Sequence, residues 1–207
     1  MKYLLIVVAL ILALLVAGVV WIGGPMGPSL EEVAHLQTPH VIEMDPQKVL
    51  LVVAGGNPNE SGPKAFGFLL KIYFSLEGVP KWGPDFQPPR ARWPSDHETP
   101  MDEWVGHYAM PVPDEVTEVP VSETAEGMSV ELTTWDYGEV AQILHVGPYD
   151  QEDENIARLM AFIEDQGYEV DGLHEEEYLK GPGFIFAGNP DNYLTIIRYP
   201  VRTVGGS

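Results

Sequence analysis

Two stretches of the chain match at one fixed offset, and this duplication limits the fold more than any other feature. Val41-Ile-Glu-Met-Asp-Pro-Gln-Lys-Val-Leu-Leu-Val-Val-Ala-Gly-Gly56 aligns with Leu132-Thr-Thr-Trp-Asp-Tyr-Gly-Glu-Val-Ala-Gln-Ile-Leu-His-Val-Gly147. Asp45 meets Asp136, Val49 meets Val140 and Gly56 meets Gly147, each 91 residues apart. Both passages read as an extended segment, a turn, and a β-rich strand that ends at glycine. A helical pattern follows in each. In the first, Ser61 or Gly62 can cap, Pro63 suits the first turn, and Phe66, Leu69, Leu70 and Tyr73 share a face. In the second, Glu152, Asp153 and Glu154 crowd the first turn, and Ile156, Leu159, Met160 and Ile163 repeat at helical spacing. Gly78 and Gly167 stop the two helices.

Two strands then close each copy: Arg90–Trp93 and Trp104–Val112 in the first, His174–Leu179 and Tyr193–Val201 in the second. The unit is β-α-β-β, used twice, over about 40–113 and about 128–202. Two such units side by side predict an α+β fold, an antiparallel sheet with its helices on one side. The cleft between the halves is the expected ligand site.

The residues before this domain read as an address. Tyr3–Ile22 is uncharged and rich in Leu, Val, Ile and Ala. As a helix it spans about 30 Å, the thickness of a hydrocarbon core. It is too long for a signal-peptide core and lacks an A-x-A-like cleavage site, and Trp21 suits an interface. Residues 1–24 are therefore expected to be one transmembrane helix, an uncleaved anchor. Residues 25–37 read as a linker and 38–202 as the folded domain. Positive charge lies before the span, at Lys2 and the α-amino group, and next at Lys48. The expected topology is single-pass in the inner membrane, with the domain on the extracytoplasmic side.

Charge excludes some partners. The chain has 31 acidic and 11 basic residues, a net charge of −20. No basic patch exists to release counterions from nucleic acid or to grip anionic lipid. The segment from Asp114 to Tyr178 holds 19 acidic residues and one basic residue, Arg158. Most of these carboxylates are expected on a solvated face, where they raise the local cation concentration. The absence of cysteine excludes thiol catalysis and Cys-ligated metals.

Standard catalytic motifs are missing. There is no G-x-S-x-G, no Walker A and no H-E-x-x-H, so neither cofactor nor metal is expected. Asp150–Glu154 lacks calcium-loop spacing and reads as a solvated helix start, and His145 reads as a structural histidine. The segment His174-Glu-Glu-Glu-Tyr-Leu179 is more informative. In a strand Glu176 and Tyr178 share one face, and Glu175 and Glu177 the other. A carboxylate among aromatics is costly to bury unless it pairs with a cation or works as an acid or base. Trp93 occupies in copy one the place of Tyr178 in copy two. Tyr108, Trp135 and Tyr137 complete the candidate ligand-binding set with Glu176, Tyr178 and Trp93.

Trp135-Asp-Tyr-Gly-Glu-Val-Ala141, His145-Val-Gly-Pro-Tyr149, Gly167-Tyr168, Gly172, Glu176-Glu-Tyr178-Leu and Ile197-Arg-Tyr-Pro200-Val201 occur in the order of a known family. The domain resembles the GyrI-like small-molecule-binding family, related to effector-binding domains of multidrug-responsive and AraC-type regulators. The resemblance implies that Glu176 meets cationic, lipophilic ligands in the cleft, with Tyr178 beside it. It also implies that some members hydrolyse reactive cyclopropane compounds through an equivalent Glu. Two departures stand out, the lack of a helix-turn-helix and the added N-terminal span. The expected function is a membrane-anchored binding domain for a cationic or amphiphilic molecule. The alternatives are a hydrolase of electrophilic xenobiotics, with Glu176 as general acid/base and Tyr178 orienting substrate, and an envelope protein-interaction module with a protein partner.

Overall fold

A computed structural model describes residues 27–95, 99–119, 128–182 and 188–205. Among these no helix is long and apolar enough to cross a membrane. The run Tyr3–Ile22, and the anchor expected there, lie outside the described residues.

The second half of the expected linker has structure. Helix α1 (Leu30–Val33) starts at a capping box in which Ser29 and Glu32 satisfy each other's backbone donors, and a 3₁₀ turn continues to Gln37. Val33 and Leu36 pack on Leu144, Leu194 and Ile196, so this segment is fastened to the domain.

Strands β1 (His40–Met44), β2 (Gln47–Gly55), β3 (Arg90–Trp93), β4 (Val105–Pro111), β5 (Val130–Trp135), β6 (Gly138–Val146), β7 (Tyr168–Val170), β8 (His174–Lys180) and β9 (Leu194–Thr203) form one antiparallel sheet. Its order is β1-β6-β9-β8-β3-β4-β2-β5, with β7 paired to β9. Helices α2 (Pro58–Ser75) and α3 (Asp153–Asp165) follow β2 and β6. The fold is α+β, and each half has the expected strand, helix, strand, strand order. Among the described residues, short β7 has no counterpart in the first half.

Helix α2 begins earlier than Ser61. Asn57 caps it, accepting from Asn59 N at 3.0 Å, Pro58 fills the first turn, and Pro63 lies inside. The buried stripe is accordingly Ala65, Phe68, Leu69, Ile72 and Tyr73, while Phe66 and Leu70 are only half-buried.

Both helices lie on the same face. Ala91 of β3 stands opposite Glu176 of β8, and Glu176 opposite Ile197 of β9. Ala91 packs in the core under α2, and Ile197 in the core under α3. The direct pairing of Ala91 with Glu176 makes the junction of the halves the place where Glu176 sits.

The halves also exchange their first strands. β1, of the first unit, pairs with β6 of the second, and β5, of the second, pairs with β2 of the first. The ladder keeps a single register from His40 opposite Gln142 to Val52 opposite Val130, interrupted only where Asp45-Pro46 faces Asp136-Tyr137. The two segments are thus one continuous ribbon joining the two ends of the sheet. The link residue Tyr137 touches Arg90 and Glu175 on the middle strands, so the ribbon crosses the face away from the helices.

Candidate functional site

Strand alternation divides β8 between two tasks. Glu175 and Glu177 point away from the helices, into a buried ionic layer. Arg198 donates to Glu175 Oε1 at 2.9 Å, to Glu177 Oε2 at 2.8 Å and to Gln142 Oε1 at 3.1 Å. Arg92 donates to Glu175 Oε2 at 2.8 Å, its guanidinium 4.1 Å from the Trp135 ring centre and 4.8 Å from that of Tyr137. The Tyr137 hydroxyl accepts from Arg90 at 2.8 Å and donates to Glu175 at 3.1 Å.

His174, Glu176 and Tyr178 point the other way, between the helices. Glu176 is 9 % exposed, and Tyr178 donates its hydroxyl to Glu176 Oε2 at 2.7 Å. Trp93 Nε1 faces the same carboxylate and favours its ionised form without reaching hydrogen-bond geometry. An arc of rings encloses the site. Trp93 meets Tyr108 at 5.8 Å between centroids, Tyr108 meets Phe66 at 5.1 Å, and Phe66 meets Tyr178 at 5.5 Å. Tyr149 stands 5.4 Å from both Tyr178 and Tyr193. Tyr193 also lines an open hollow of about 260 Å³, with Lys180, Gly188, Asn189 and Asn192.

Two further side chains complete this face. Glu152, at the N-cap of α3, is buried and not part of a solvated helix start. His174 stacks on Tyr199 at 5.0 Å and brings Nε2 to 3.8 Å from Glu176 Oε1. Burial first, then the charges of Glu176 and Asp153, push the Glu152 carboxyl up to about 9. Burial likewise raises Glu176, opposed by the Tyr178 and Trp93 donors. It also raises the phenols of Tyr178 and Tyr149, with Glu176 adding to both. The arginines of the middle strands all lie on the opposite face. The site is therefore a carboxyl pair in a low-dielectric aromatic surround, suited to bind a cation or to pass a proton.

A model of the GyrI-like small molecule binding domain matches residues 37–202. The chain belongs to this family. A crystal structure of a hydrolase from Listeria innocua is 24 % identical with a TM-score of 0.64, covering 84 % of this chain and 98 % of its own. An uncharacterized conserved protein from Listeria innocua is 26 % identical with a TM-score of 0.65, at the same coverage. The C-terminal domain of EcmrR is 17 % identical with a TM-score of 0.59, covering 80 % of this chain and 98 % of its own. At such identities the likeness is one of fold. No curated protein matches the chain.

Of the six residues selected from sequence, this GyrI-like domain brings Glu176, Tyr178, Trp93 and Tyr108 together. It does not bring Trp135 and Tyr137 to them. Those two lie across the sheet, where they hold Arg92 and, through Tyr137, Arg90. The sequence alone does not single out Glu152 and Tyr149 beside Glu176, or Phe66 against the rings of Tyr108 and Tyr178. The signal for Tyr149 lies in the Gly147-Pro148-Tyr149 segment. Glu152 was hidden among its acidic neighbours.

Proposed function

We propose that this GyrI-like chain binds a small cationic or amphiphilic molecule against Glu176, with the rings of Tyr178, Trp93 and Tyr108 contributing stacking faces. The observation that carries the reading is Glu176 itself, a buried carboxyl held by one phenol on a face it shares with aromatic rings, Glu152 and His174. A cation placed there gains from both charge and ring faces. The domain is carried by a membrane anchor at residues 3–22, with the binding face on the extracytoplasmic side. Its strongly negative field favours cations over nucleic acid.

Calorimetry on the full chain in detergent with EDTA tests the reading, using benzyltrimethylammonium and its neutral carbon isostere neopentylbenzene. Glu176→Gln is expected to weaken the cation by at least about tenfold, roughly 1.4 kcal/mol, and the neutral compound by much less. Equal losses for both compounds would sink the reading.

A second reading rests on the Glu152–Glu176 pair, whose raised proton affinities suit acid–base chemistry. A protonated carboxyl would donate to the bond being broken while its ionised neighbour takes a proton from water. A hydrolase from Listeria innocua shares the fold. Product formed beyond one equivalent, and lost in Glu176→Gln, separates this reading from binding alone.

A further inference from the structure

Glu152, His174 and Glu176 come from a helix start and a strand, yet one ligand atom of each lies within 4.8 Å of the other two. The cluster is enclosed: Glu152 is 6 % exposed, His174 8 % and Glu176 9 %. Glu152 Oε1 is buried with no hydrogen-bond partner. Tyr178 takes Glu176 Oε2, which leaves Oε1 facing His174 Nε2 across 3.8 Å. That distance is long for a hydrogen bond. It is close to the spacing of two donors on one metal, since bonds of about 2.0–2.2 Å at tetrahedral angles separate ligand atoms by roughly 3.4 Å.

The charge balance points the same way. Two carboxylates withdrawn from water side by side repel each other. No arginine from the middle strands reaches them, because Arg90, Arg92 and Arg198 are all engaged with Glu175 and Glu177 on the opposite face. Glu152 at the N-cap of α3 meets His174 and Glu176 of β8 here, and Asp153, exposed in the first turn of α3, adds negative charge nearby. A divalent cation takes the place of the proton held by this buried pair and satisfies the orphaned oxygen of Glu152 at once.

We propose that Glu152, His174 and Glu176 form a binding site for a divalent first-row metal ion, with Zn²⁺ the best match to one imidazole and two carboxylates. Three protein ligands leave a fourth position for water or a small molecule, the arrangement of a reactive rather than a purely structural zinc site. This goes beyond the organic-cation reading and competes with it, because both use Glu176.

The test uses the full chain in detergent, stripped with EDTA and then freed of it. Titration calorimetry with ZnCl₂ is expected to give one ion per chain. Glu152→Gln and His174→Phe are each expected to weaken binding by roughly 100-fold, and Asp150→Asn, on the exposed surface, to leave it unchanged. Near-ultraviolet circular dichroism checks that each variant is folded. Co²⁺ added to the unmutated protein supplies a readout that needs no variant, a visible ligand-field band typical of four or five ligands including nitrogen. No saturable Zn²⁺ binding below about 1 mM, no cobalt band, or Zn²⁺ binding that survives both ligand substitutions overturns the proposal. The organic-cation titrations contain EDTA, so either result stands without the other.

Discussion

Tyr108 lies where a small neighbour is required. A Cβ on Gly106 would come within 2.5 Å of the Tyr108 ring, and one on Gly62 of α2 within 3.5 Å. Gly106 is thus needed for space: its own strand carries the ring back over it, on the face of Trp93 and Phe66. Gly106→Ala is expected to cost about 1–3 kcal/mol, since overpacking forces the ring or strand to shift. Urea denaturation measures this, and the double variant with Tyr108→Leu should recover part of the loss if the ring is the obstacle. Full additivity would place the strain elsewhere. At this scale the site was partly legible. Alternation along β8 and β3 was enough to put Glu176, Tyr178 and Trp93 on one face. It could not tell which face Trp135 and Tyr137 would use, because Trp135 ends β5 and Tyr137 lies in the two-residue break before β6, where the period-two pattern stops. Nor could it single out Glu152, whose burial depends on how α3 meets β8 and not on its acidic neighbours.

The strand β8 positions its functional side chain through the one it presents to the opposite face. Glu175 is 1 % exposed and receives Arg92, Arg198 and Tyr137, the last from the crossing ribbon. This layer ties β3, β8 and β9 to the ribbon behind Glu176. Arg198→Met leaves Glu175 and Glu177 short of a buried partner, and is expected to destabilise by about 3–5 kcal/mol. Arg202 on the same strand is a control: it is paired with Glu169 at 3.0 Å but its side chain is 54 % exposed. Arg202→Met should cost under about 1 kcal/mol, because solvent screens such pairs. Similar losses for the two, by urea midpoint at constant slope, would refute the ionic layer as a support. The β-α-β-β order of each half was readable because hydrophobic period and glycine stops act locally. The exchange of β1 and β5 was not, since the partner of a strand is set by the closed sheet and not by its own sequence. Three-residue β7 is too short to carry a pattern at all.

On the scale of the whole chain, charge separates surface from interior more sharply than composition suggests. The acidic segment from Asp114 to Tyr178 supplies the four glutamates that are buried among the described residues, Glu152, Glu175, Glu176 and Glu177. Its ionic partners Arg90, Arg92 and Arg198 come from outside that segment. Two of the four are thereby ion-paired, and the other two are left at the site, where burial favours their protonated forms, so the net negative charge of the folded chain is carried by its surface. Such a domain gains nothing from anionic lipid and would not stay at a membrane by itself. The proposed anchor must therefore do all the holding. Twenty uncharged residues suffice for that, whereas a weaker interfacial attachment would yield to repulsion. The chain is expected in the membrane fraction after carbonate washing, and deletion of residues 3–22 should release it entirely. Because positive charge precedes the span, protease added to spheroplasts should digest the domain while a cytoplasmic marker survives. Recovery of the intact chain in the soluble fraction would refute the anchor, and protection from protease in membrane-bound chain would reverse the topology.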